Sequence, residues 1–167
     1  EALSVGVVNP YDMMMMYGST MFFISLTDKP IFDNRLWYAP WLFQGEHCSL
    51  AGLSTSGTLT HWFKNEFARD IKEENAFAIL AKEAELSSIG SNGLIFLPYF
   101  SGERTPIHDT HAKGSFFGLN LTHKRSDLYR SIFEGISYGT KHVFDTFEEL
   151  NILPKKLFSV GGGTKNL

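Results

Sequence analysis

The chain has 167 residues, 43% of them hydrophobic and 20% charged, which is enough to bury one core and too apolar for a disordered segment. A formal net charge of −3 and a pI near 6.1 exclude a broad electropositive surface, so neither nucleic acid nor a polybasic membrane contact is an expected partner. Any anionic ligand has to be met by local devices. Cys48 is the only cysteine, which rules out an internal disulfide and fits a reducing, cytoplasmic setting.

Residues 1–6 carry neither an initiator Met nor a signal-peptide pattern and read as the last turns of a helix that begins upstream, while the chain stops just after Gly161-Gly162-Gly163. Both ends are therefore expected to be cut. Residues 12–17 and 21–26 are apolar runs joined by Gly18-Ser19-Thr20, the second rich in β-branched and aromatic side chains, which predicts a β-hairpin. Interrupted by that turn, the stretch 13–26 falls short of the roughly 18 residues a membrane-spanning helix needs, and no membrane partner is expected. Residues 36–48 are aromatic-rich, with Pro40 confining any strand there to a sheet edge, and 49–54 read as another strand.

Leu59, Trp62, Phe63 and Phe67 recur at helical spacing within 56–69, as do Phe77, Leu80, Ala81 and Ala84 in the next segment, so two helices follow. The continuous apolar run 93–100 is too short for most helices and predicts a buried strand, followed by a polar loop over 101–114. Ser126 or Thr122 is positioned to cap a long helix whose apolar face collects Leu128, Ile132, Ile136, Gly139, Val143, Phe147 and Leu150. Gly135 and Gly139 lie one turn apart in it. Mid-helix glycine costs about 1 kcal/mol relative to alanine, so a neighbouring element is expected to press against the backbone there. Residues 157–160 predict a strand running into three glycines, and the alternation of strands and helices predicts an α/β layered domain.

Several polar motifs sit on this framework. A tight turn at Gly18-Ser19-Thr20 can expose consecutive backbone N–H groups beside two hydroxyls, the elements of a phosphate cradle and equally of an ordinary hairpin turn. Gly161-Gly162-Gly163-Thr164-Lys165-Asn166 offers bare backbone for a flat base or sugar, with Asn166 as donor and acceptor. It lacks the spacing of a Walker or Rossmann fingerprint and reads alternatively as a helix-start turn. Arg104 beside Glu103 fits either an anion grip or a structural ion pair. His108, Asp109 and His111 admit a metal reading, but no further ligand stands at a recognisable spacing and no metal site is assigned. His47 and Cys48, adjacent on a strand, face opposite sides and make no nucleophile–base pair, which leaves Cys48 a buried structural residue.

Taken in order, these pieces resemble a known family. Gly114-Ser115-Phe116-Phe117-Gly118-Leu119, seven residues, then Asp127-Leu128-Tyr129-Arg130-Ser131-Ile132-Phe133-Glu134 resembles the C-terminal signature of the FGGY carbohydrate kinases, which include xylulokinase, ribulokinase, fuculokinase, gluconokinase and glycerol kinase. Met16-Tyr17-Gly18-Ser19-Thr20 resembles the family's phosphate hairpin, residues 97–106 its central loop and Gly161-Gly162-Gly163 its adenosine motif, so the likeness covers the whole chain. The resemblance implies a ribonuclease-H-like α/β domain of the actin, hexokinase and Hsp70 type, truncated, with 1–167 forming part of a C-terminal nucleotide-binding domain. It implies ATP and Mg²⁺ as cofactors, with Gly18, Ser19 and Thr20 at the terminal phosphates, and Gly57 and His61 near the nucleotide at the start of their helix. Gly161, Gly162, Gly163 and Asn166 would lie around the adenosine.

The same resemblance places the catalytic Asp upstream of Glu1 and most of the sugar site in an N-terminal lobe, so no residue of 1–167 is assigned as catalytic. The sugar, nearer to a pentulose such as xylulose than to glycerol, would be met through that lobe; homodimerisation is left open. Two alternatives stand beside this reading: a non-catalytic actin-like nucleotide-binding module, and a metal hydrolase built on His108, Asp109 and His111.

Overall fold

A computed structural model describes residues 1–165. The expected hairpin forms from β1 (Asp12–Tyr17) and β2 (Met21–Thr27), with Met13 opposite Ser25 and Tyr17 opposite Met21. Next come β3 (Trp37–Pro40), β4 (His47–Leu53), α1 (Gly57–Phe67), α2 (Ala76–Glu85), β5 (Ile95–Leu97), β6 (Ser115–Phe117), α3 (Arg125–Glu149) and β7 (Lys156–Gly161). The main sheet has the order β3-β4-β2-β1-β7, antiparallel throughout except that β7 runs parallel to β1. This mixed sheet agrees with the ribonuclease-H-like fold that the resemblance implies. Pro40, which cannot donate to a ladder, lies in the edge strand β3 as expected.

The methionine run of β1 has no polar alternation because both faces of this inner strand are covered. Met13 and Met15 join Met21, Phe23, Ala51 and Leu53 under Leu59 and Phe63 of α1 and Ile132, Val143 and Phe147 of α3. Met14 faces the other way, with Leu26, Ala2 and Val7. On α3 the glycine pair is explained by packing: a Cβ on Gly135 would stand 2.4 Å from the Phe96 carbonyl oxygen, and one on Gly139 3.3 Å from Leu53 Cδ1. β5 and the end of β4 thus reach the helix backbone, as those glycines predict.

Three expectations change. The cap of α3 is Lys124 rather than Ser126 or Thr122, because Asp127 reaches back from the first turn and accepts the Lys124 N–H at 2.8 Å. The same carboxylate accepts from Ser87 Oγ at 2.6 Å and Asn92 Nδ2 at 2.8 Å. The strand expected over 93–100 shortens to β5, paired with β6 in a separate two-stranded sheet, and only its central residue Phe96 is buried. Pro98 stops it: it has no N–H, and its carbonyl accepts the Thr55 hydroxyl. Near the N-terminus, a single 3₁₀ turn over Leu3–Val5, ended by Gly6 at φ 101°, stands where the last turns of a helix were expected. No helix among the described residues is long and apolar enough to cross a membrane.

Candidate functional site

Three separated segments meet at one edge of the sheet. Because β1 and β7 are parallel neighbours with Tyr17 opposite Gly161, both strands end on the same side, the side on which open α/β sheets bind ligands. Gly18 follows β1 and Gly162 follows β7.

The turn after β1 is clamped by the start of α1. The Gly57 N–H donates to the Gly18 carbonyl at 3.0 Å, and the Ser19 carbonyl accepts the N–H groups of Ser56 at 2.9 Å and Thr58 at 3.2 Å together with the Thr58 hydroxyl at 2.8 Å. A Cβ on Gly57 would lie 2.7 Å from the Gly18 oxygen, so glycine is required for this approach. In a planar trans peptide the N–H points opposite to the C=O. Turning the Gly18 and Ser19 carbonyls onto α1 therefore turns the Ser19 and Thr20 N–H groups away from it, side by side. Their hydroxyls have no hydrogen-bond partner among the described residues, and Ser19 is exposed. The first N–H groups of α1 are themselves occupied by the turn, so the helix terminus is not free to receive an anion directly.

The glycine run behaves unevenly. Gly161 has φ 102°, and a Cβ there would fall 2.2 Å from the Tyr17 carbonyl oxygen; on Gly163 it would fall 2.8 Å from Tyr17 Cβ. Gly162 is different, since a Cβ would meet nothing within 4 Å among the described residues. Gly162–Lys165 forms a 3₁₀ turn, with Thr164 Oγ1 donating to the Gly161 carbonyl at 2.8 Å. Asn166 lies outside the described residues.

His61 stands one turn along α1 from Gly57 and is exposed, with its ring edge-on to Phe77 of α2 at 4.7 Å. That contact is with the second helix rather than with the hairpin. Arg104 donates to the Leu53 carbonyl at 2.6 Å and lies 5.8 Å from the centre of the Trp37 ring, and among the described residues it makes no ion pair with Glu103. Glu103 is buried, and its Oε1 accepts the N–H of Ser54 at 2.8 Å and of Arg104 at 2.7 Å. Burial raises the Glu103 carboxyl above its ordinary value against those hydrogen bonds.

His108 Nε2 lies 3.0 Å from the Arg35 carbonyl, and Asp109 Oδ1 accepts the His111 N–H at 2.7 Å. Among the described residues no group of three His, Cys, Asp or Glu is placed to hold a metal, which leaves the metal-hydrolase alternative without a ligand set. Cys48 is buried with Sγ 3.4 Å from the Ala39 carbonyl, and His47 pairs instead with the Tyr38 hydroxyl at 3.0 Å. Sequence reasoning missed Ser56 and Thr58 as holders of the turn. The only local signal was their position beside Gly57.

Residues 13–167 match the C-terminal domain of the FGGY family of carbohydrate kinases. The chain is 32% identical to the xylulose kinase of Lactococcus lactis over 99% of its length, and 28% identical to the gluconokinase of Bacillus subtilis over 96%, covering 32% and 33% of those proteins. The structure of xylulose kinase from Rhodospirillum rubrum aligns with 98% of the chain at a TM-score of 0.89 and 29% identity, and 33% of that protein is covered. Plasmodium falciparum glycerol kinase with ADP shares the fold, with a TM-score of 0.83 and 21% identity over 99% of this chain and 33% of its own. The chain thus spans about a third of the length of these relatives. It belongs to the FGGY family of carbohydrate kinases, as a match to the family's C-terminal domain.

Proposed function

We propose that this chain is the ATP-binding part of a carbohydrate kinase that transfers the γ-phosphate of ATP to a hydroxyl of a sugar, a pentulose such as xylulose. The observation that carries this reading is the pairing, at one sheet edge, of two outward backbone N–H groups at Ser19 and Thr20 with the open glycine face at Gly162. The first suits the oxygens of a polyphosphate, and the second suits a flat or bulky group lying on bare backbone. Bound MgATP supplies the transferable phosphoryl group. Ser19 and Thr20 hold its terminal phosphates through N–H and hydroxyl donors, Gly18 and Gly57 let the turn and α1 close on each other, and Gly162 leaves room for the adenosine. Mg²⁺ comes with the nucleotide; no side chain of this chain is assigned to it.

These donors act by orienting the phosphates and offsetting charge that develops on the transferring group, the two contributions on which phosphoryl transfer mainly depends. The base that takes the sugar proton, and most of the sugar site, belong to a lobe outside 1–167. The chain alone therefore turns over no sugar. The similarity to xylulose kinases favours a pentulose; gluconate is the competing substrate. The test is ADP release from ATP with a panel of pentuloses, hexuloses, gluconate and polyols, on 1–167 alone and on the protein that joins it to a sugar lobe. The proposal expects activity only in the joined protein and fastest with a pentulose. Nucleotide binding without turnover of any sugar would favour a non-catalytic actin-like module instead, and sugar-dependent ADP release by 1–167 would overturn the assignment of the base to the other lobe.

A further inference from the structure

We propose that residues 98–105 are a strap that positions the phosphate-binding turn, with Glu103 as its central positioning residue. This rests on the nucleotide reading given above. The strap is bonded to each residue in a row. The Thr105 N–H donates to the Gly52 carbonyl at 3.1 Å, and the Thr105 hydroxyl accepts the Gly52 N–H at 3.3 Å. Arg104 Nη2 donates to the Leu53 carbonyl, Glu103 Oε1 accepts the Ser54 N–H, and the Thr55 hydroxyl donates to the Pro98 carbonyl. Gly52 leaves the room this needs, since a Cβ there would stand 3.2 Å from Arg104 Cζ.

The three residues that follow this row, Ser56, Gly57 and Thr58, are those whose N–H groups hold the Gly18 and Ser19 carbonyls. Position is therefore passed in series: from the strap to residues 52–55, to the first turn of α1, to two carbonyls, and through their rigid peptides to the Ser19 and Thr20 N–H groups. Glu103 is 3% exposed, and its second oxygen, Oε2, has no hydrogen-bond partner among the described residues. A carboxylate buried with one oxygen unpartnered is costly to keep, but its bonds to N–H donors are shorter and stiffer than those of a neutral acceptor. What positions residues 54–58 is the acceptor's place between the Ser54 and Arg104 N–H groups, which a neutral acceptor of the same shape keeps. No hydrogen bond among the described residues joins the strap directly to Gly18, Ser19 or Thr20.

The test uses the kinase that joins this chain to its sugar lobe, with Glu103→Ala, which removes the acceptor, Glu103→Gln, which keeps one acceptor oxygen, and Thr55→Val, which removes the separate tie to Pro98. In Glu103→Ala, amide hydrogen exchange at Ser56, Gly57 and Thr58 accelerates while that of α3 does not, and kcat falls by about 10- to 100-fold, the scale of a small misplacement at a reacting centre, with the KM for sugar unchanged. Glu103→Gln restores kcat to within about threefold, because the hydrogen-bond geometry survives. Thr55→Val moves both readouts in the same direction by less, and it decides the matter if the alanine protein does not fold. Protection of the Ser19 and Thr20 amides by MgADP in the parent protein tests the nucleotide reading separately. If those amides are protected, and Glu103→Ala or Thr55→Val leaves both the exchange at residues 56–58 and kcat unmoved, the strap has no positioning role.

Discussion

Gly135 and Gly139 on α3 and Gly161 to Gly163 after β7 are both glycine clusters, yet only one is accounted for from within the molecule. On α3 each missing Cβ is matched by a neighbour that occupies its place: the Phe96 carbonyl at Gly135 and the Leu53 side chain at Gly139. After β7 the same holds for Gly161 and Gly163, both pressed against Tyr17, and fails for Gly162. A glycine whose Cβ would point into open space meets no packing constraint from the described residues, so its packing does not account for it. The core cluster measures packing, whereas Gly162 is the position at which the proposed nucleotide contact can be tested apart from packing.

The comparison can be broken at several points. The largest effect is expected in the core under α3, where Ile132 is fully buried and Ile132→Ala should cost about 2–5 kcal/mol in denaturant melts. A loss below about 0.5 kcal/mol, the range of ordinary surface changes, would contradict the packing described for that face. Gly135→Ala sharpens the point. Alanine is the better helix former by about 1 kcal/mol, but its Cβ would collide with a backbone oxygen, so melts should show a net loss of about 1–3 kcal/mol. A stabilised variant would mean that β5 does not press on α3.

A smaller effect is expected from two carboxylates of opposite sense. Burial opposes the ionisation of Asp127, but hydrogen bonds from Ser87, the Lys124 N–H and Asn92, with the charge of His123, outweigh it and hold the carboxyl below its ordinary value. Its contribution to stability is complete above the unfolded pKa of about 3.9 and is lost as pH falls through the lower folded value. Glu103, raised mainly by burial, has the reverse sign: its penalty is absent below the unfolded pKa of about 4.3 and grows as pH rises through the higher folded value. Melts from pH 2 to 7 should therefore show Asp127→Asn flattening the acid loss, and Glu103→Gln steepening it or leaving a relative gain at neutral pH. The same slope in both variants would contradict the two assignments.

How much of this was legible depended on how far each feature's cause lay along the chain. β1, β2, β7 and the three α-helices carry enough residues to show a period, an apolar run or a terminal glycine, and they fall where those patterns put them. β6 and the shortened β5 hold three residues each, too few for any period. The cap at Lys124 escaped because its acceptor belongs to Asp127 inside the helix, and the Glu103 contacts escaped because Ser54 is 49 residues away. Within the site, the turn at Gly18 and the run at Gly161 were visible as glycine patterns. That Gly57 lacks a Cβ because Gly18 occupies its place, and that Gly162 alone among the three is unopposed, are facts of three dimensions that no local pattern contains.

The most direct test of the central claim is nucleotide titration of Gly162→Val in the protein that joins this chain to its sugar lobe, accompanied by melting curves. The substitution meets open space in the fold, so stability should stay within about 0.5 kcal/mol of the parent. The added isopropyl group stands where the proposed function puts the adenosine, so ATP binding should be lost or weakened by at least about 100-fold, roughly 2.7 kcal/mol. Parent-like ATP affinity in a normally folded Gly162→Val protein would contradict the assignment of this glycine face to the nucleotide.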